Sequence, residues 1–97
     1  MKLREHLLVC LIEEAAEVQK AATKILRFGL RDEYDGQAPE TNLENLRQEL
    51  ADLEAIRYVL DDSFPEDYAI DGGAVFAKVG KLETMIIYAK KAGTLHD

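Results

Sequence analysis

The stretch IEEAAEVQ, Ile12 to Gln19, decides the fold because it sets an acid inside an apolar seam. Positions three and four apart give Leu7, Leu11, Glu14, Val18, Ala21, Ile25 and Phe28, a stripe of helical period that calls for a partner helix. Glu14 interrupts that stripe. Glu17 follows one turn later, near enough for both carboxylates to address one point. Two anions held together at a packed face need a compensating cation. Glu13 reads as an outward-facing neighbour.

Working outward, the chain from about Lys2 to Phe28 reads as one long helix, rich in Ala, Leu, Glu, Lys and Gln, with no Gly or Pro inside it. Gly29 supplies a C-terminal cap. Lys24 and Arg27 fall in the last turn, with Lys20 one turn earlier, where cations complement the helix dipole; a solvated helix end is their plain reading. Leu30 to Glu40, LRDEYDGQAPE, has no apolar period and carries Asp, Gly and Pro, so it reads as a loop. Loops of this length in compact domains are often functional. Its Tyr34 is expected to cover the core.

A second helix starts at Thr41, with Glu44 placed for a capping box, and runs to about Asp61. Its seam is Asn42, Leu46, Glu49, Leu53, Ile56 and Leu60, widened by Leu43 and Leu50. Here too a glutamate takes a core-facing slot, and Asp52 follows it by three. Ser63 to Gly73 is a connection in which Pro65, Glu66 and Asp67 suit a short helical turn. A last helix from about Ala74 to Lys91 should bury Val75, Val79, Leu82, Met85, Ile86 and Ala89, with Tyr88 read as packing.

The expected fold is therefore all-α: an antiparallel bundle of two long helices with a third packed on them, forming a single domain over residues 1–97. Ninety-seven residues make a modest core, so association as a homodimer or homotetramer is expected. No apolar run approaches the roughly 20 residues of a membrane span, and MKLREHLLVC lacks the pattern of a secretory signal, so a cytoplasmic protein is expected. A net charge of −7 disfavours nucleic acid and anionic membranes as partners. Cys10 is the only cysteine, which excludes an internal disulfide and a thiolate zinc cage and leaves it as a small apolar filler.

In a hairpin of the first two helices, Glu14 and Glu17 precede the end of one helix by about as much as Glu49 and Asp52 follow the start of the next; the mismatch is on the order of 5 Å. The two pairs can face each other. Four converging carboxylates repel at pH 7 unless protonated or bound to metal, and oxygen ligands without imidazole or thiolate suit Mg²⁺, or Mn²⁺, better than zinc. A di-iron bundle would want Glu-x-x-His pairs, and neither His6 nor His96 has a glutamate three residues before it. The plain alternative makes all four acids surface groups paired with Lys20, Lys24, Arg47 or Arg57. Two occurrences in apolar seams at matching heights argue against it.

Glu14-x-x-Glu17 followed by Glu49-x-x-Asp52 resembles the signature of the MazG-like, all-α nucleoside triphosphate pyrophosphohydrolases. The words EEAAEV, KILRFG and ELADLEA resemble phage and bacterial members in the same order, and the segment between the motifs is longer than in compact members. The resemblance covers Leu8 to Leu60 well and the last helix loosely. It implies hydrolysis of an NTP or dNTP to the monophosphate and pyrophosphate, with Mg²⁺ held by Glu14, Glu17, Glu49 and Asp52, one of the first two acting on the attacking water. Lys20, Lys24 and Arg27 then become candidates to neutralise the phosphates, Lys78 and Lys81 to add charge from the last helix across a subunit boundary, and Asn42 to bond base or sugar. For Asn42 the plain reading is local capping near Thr41. The competing function is a noncatalytic helical module that senses nucleotides or binds a protein partner.

Overall fold

The computed structural model describes residues 1–32 and 40–96, so the expectation for Tyr34 and for most of its loop lies outside the described residues. Three long helices and one short one account for the described secondary structure: α1 Leu3–Phe28, α2 Asn42–Ser63, α3 Pro65–Tyr68 and α4 Gly72–Ala92. Among the described residues there is no strand.

Each boundary has a local cause. The Gly29 N–H donates to the Ile25 carbonyl at 2.8 Å, and Gly29 turns the chain at φ 97°, a value that an L side chain rarely adopts. Thr41 caps α2, its hydroxyl accepting from the Glu44 N–H and donating to the Glu44 carboxylate, both at 3.2 Å. Pro65 opens α3 at the position where a missing N–H costs nothing. Asp71 accepts from the Ala74 N–H at 3.0 Å and so starts α4 at Gly72, two residues before the expected Ala74.

α1 and α2 lie side by side, with Leu7, Ala21, Leu60 and Asn42 buried between them. Leu11, Glu14, Val18 and Ile25 of the first seam and Leu46, Glu49, Leu53 and Ile56 of the second are half-buried. Leu50 stays exposed, so only Leu43 widens that face inward.

The two ends of the pair are fastened differently. At one end the Asn42 side-chain amide donates to the Gly29 carbonyl at 3.0 Å, while the Asn42 and Leu43 N–H groups donate to the Asp32 and Leu30 carbonyls. At the other, the Arg4 guanidinium bonds Asp67 at 2.7 Å and lies 4.8 Å from the Phe64 ring and 5.7 Å from the Tyr68 ring. Arg4 thereby ties α3 to the start of α1, by an exposed ion pair of small worth and two ring contacts. Asn42→Ala should lower the unfolding free energy by about 0.5–1.5 kcal/mol in urea titration, since it removes the bond from the buried Asn42 amide to the exposed Gly29 carbonyl.

The last helix departs from expectation. α4 makes no packing contact with α1, α2 or α3. Val75, Val79, Leu82, Met85 and Ile86, expected to be buried, are 45–60% exposed, and Tyr88, expected to pack, is 65% exposed. α1 and α2 cover most of each other's seams, although Phe28 of the first stays exposed, and the apolar face of α4 has nothing among the described residues of its own chain to bury against. The radius of gyration, 16.9 Å, accordingly exceeds the roughly 13 Å of a compact domain of this length.

Candidate metal centre

The seams carry their acids to one place. Glu14 from α1 and Glu49 and Asp52 from α2 each offer a carboxylate oxygen, and these atoms lie within 4.8 Å of one another. Glu14 Oε1 is cut off from solvent and has no hydrogen-bond partner, although the residue as a whole is only half-buried. Proton sharing with Glu49 contributes most to raising the Glu14 carboxyl; desolvation and repulsion from Glu49, Asp52 and Glu17 add to it, and together they push it up to about 7. Among the described residues none of the four acids is in an ion pair, and the Arg4–Asp67 pair joins the start of α1 to α3, using none of them. The reading of these acids as salt-bridged surface groups therefore finds no support in the geometry.

Glu17 stands apart from the other three. It is exposed and outside the close group, yet near enough for its charge to act on Glu14. Three residues along a helix turn a side chain about 60° from its neighbour's direction; Asp52 keeps its carboxylate with Glu49 across that angle, while Glu17 lies on the exposed flank of α1.

Gln48 joins the site without having been singled out from the sequence. Its Nε2 donates to Asp52 Oδ1 at 2.8 Å and fixes that carboxylate's rotamer. The signal was present as an i, i+4 spacing between an amide and an acid on one helix face. Gln48→Ala is expected to weaken divalent-cation binding by about tenfold, the usual cost of losing a group that orients a ligand; isothermal titration with Mg²⁺ measures it.

The candidate substrate-binding residues are dispersed. Lys20, Lys24 and Arg27 follow Glu17 at intervals of three and four, so they continue its flank toward the end of α1. Lys24 is half-buried, and Arg27 lies 5.2 Å from the Phe28 ring. Asn42 is buried, with its amide engaged by the Gly29 carbonyl, and so holds the ends of the 30–41 connection together. Lys78 and Lys81 are exposed on α4, which does not pack on the helices carrying the acids.

An all-oxygen donor set containing a desolvated, unpartnered carboxylate oxygen fits a hard divalent cation such as Mg²⁺ or Mn²⁺. A cation there would satisfy Glu14 Oε1 and remove the repulsion among the three acids. Comparison with known proteins returned no matching family model, curated protein or solved structure.

Proposed function

We propose that this chain is a Mg²⁺-dependent hydrolase that cleaves the α–β anhydride of a nucleoside triphosphate, releasing the nucleoside monophosphate and pyrophosphate. The observation that carries the reading is the orphaned Glu14 oxygen facing Glu49 and Asp52 across two helices. The resemblance of both acidic motifs and their flanking words supports the same activity. An antiparallel pairing of α1 and α2 is the arrangement that sets residues 14 and 49 at one height, and it agrees with the fastening of Gly29 to Asn42 at one end and Arg4 to Asp67 at the other.

Glu14, Glu49 and Asp52 would hold the cation, which when bound neutralises charge on the phosphate oxygens and polarises the anhydride. Glu17, left outside the close group, is placed to orient the attacking water and take its proton. Along the same flank Lys20, Lys24 and Arg27 extend about 5 to 15 Å beyond Glu17, a span suited to a triphosphate. Gln48 holds Asp52 in the conformation that the cation requires.

A coupled assay that detects pyrophosphate across all NTPs and dNTPs tests the proposal. Pyrophosphate, without orthophosphate, is the expected product from at least one of them. Binding of Mg²⁺ and nucleotide with no turnover of any would replace the enzyme by a nucleotide sensor. No described helix is long and apolar enough to cross a membrane, and we place the protein in the cytoplasm as a homo-oligomer, since α4 leaves an apolar face uncovered.

A further inference from the structure

The exposed face of α4 has a regularity beyond amphipathicity. Val75, Val79, Leu82, Ile86 and Ala89 are spaced four, three, four and three, the alternation of a heptad seam, and Gly72 extends it one step back. In that register Val79 and Ile86 occupy a positions and Val75, Leu82 and Ala89 occupy d positions. β-Branched residues at a with leucine at the central d are the combination that favours two parallel strands. Phe76 at e and Met85 at g widen the seam, and both are exposed.

The flanking charges point the same way. Lys78 falls at g and Glu83 at the following e, five residues on, the offset at which g of one strand meets e of the other in a parallel pair. Neither residue has an ion-pair partner among the described residues of its own chain. An antiparallel pair with the seams fully overlapped would instead set Lys78 against Met85 and Glu83 against Phe76, leaving both charges without a mate. An isolated helix of 21 residues is marginal in water, and α4 packs on no other helix among the described residues.

We propose that α4 is the dimerisation element of this protein, pairing in parallel with α4 of a second copy through the seam of Val75, Val79, Leu82, Ile86 and Ala89. The register is set by Lys78 of each copy against Glu83 of the other. The pairing stands independently of the hydrolase reading. It assigns Lys78 to the interface and leaves phosphate neutralisation to the cations of α1.

Sedimentation velocity on the full chain at micromolar concentration should show a dimer. Lys78→Glu or Glu83→Lys, each replacing two attractions by two repulsions, should raise the dimer dissociation constant about tenfold, and the double exchange should restore it. Ala89→Cys, made with Cys10→Ser, should cross-link to itself on oxidation, because only parallel helices bring the two copies of that position together. A monomer, a dimer indifferent to both charge reversals, or a dimer in which Ala89→Cys fails to cross-link would overturn the proposal. Pyrophosphate release by the same preparations is a separate readout, so its absence would bear on the hydrolase reading alone.

Discussion

Glu49→Gln and Asp52→Asn should each reduce the proposed pyrophosphate release by about three orders of magnitude or more, while the far-UV circular dichroism of the helices is retained. The expected loss corresponds to on the order of 4 kcal/mol of transition-state stabilisation. Each exchange replaces a carboxylate by an amide of nearly the same shape, so packing along the α1–α2 seam is preserved while a hard anionic ligand is lost. Because Glu14, Glu49 and Asp52 crowd their oxygens within 4.8 Å, removing one charge also relieves repulsion. Both variants are therefore expected to be at least as stable as the parent when no metal is present. Lost activity with retained or increased metal-free stability separates a functional acid from a structural one. Full activity in either variant would remove Glu49 or Asp52 from the site. Glu17→Gln tests the division of labour: it should leave Mg²⁺ binding within a few-fold of the parent while lowering turnover, because Glu17 lies outside the close group.

How much of this was legible in the sequence depends on the kind of interaction. The break at Gly29 and the cap at Thr41 rest on bonds within a few residues, and these boundaries were read correctly. The start of α4 was read two residues late because Gly72 and Gly73 signal a turn, whereas Asp71 captures the Ala74 N–H and draws both glycines into the first turn. The meeting of Glu14 with Glu49 and Asp52 was legible because it needs only two periodic seams and a similar height on each helix. Glu17 was expected inside that group; it is exposed and lies outside it, whereas Asp52, at the same spacing of three from Glu49, belongs to it, so spacing alone did not separate the two. Least legible was the fate of α4. A stripe such as Val75, Val79 and Leu82 states that a face must be buried and says nothing about which molecule covers it. The expectation that the third helix packs on the other two supplied a partner from the same chain, where the structure offers none among the described residues.

The second large effect is a pH dependence of stability that Mg²⁺ offsets. Glu14 titrates at about 7 in the folded chain against an ordinary value of 4.5. Between those limits the folded chain holds a proton that the unfolded chain has released, so stability falls as pH rises through this window. The contribution is fully present below about pH 4.5 and gone above about pH 7. Metal-free protein should therefore melt at progressively lower temperature from pH 5 to pH 7.5. A divalent cation competes for the same oxygens, so its binding to the folded state strengthens as the proton leaves. With Mg²⁺ held about 100-fold above its dissociation constant, the melting temperature at pH 8 should rise on the order of 10 °C, and much less at pH 5.5. Glu14→Gln isolates the group from the other carboxyls and from His6, since its glutamine neither titrates nor offers the cation a charge. The variant's metal-free profile should be flatter across the window, and its response to Mg²⁺ small at every pH. If the variant kept the parent's slope between pH 5 and pH 7, the titrating group would lie elsewhere, and the orphaned oxygen of Glu14 would lose its link to the cation.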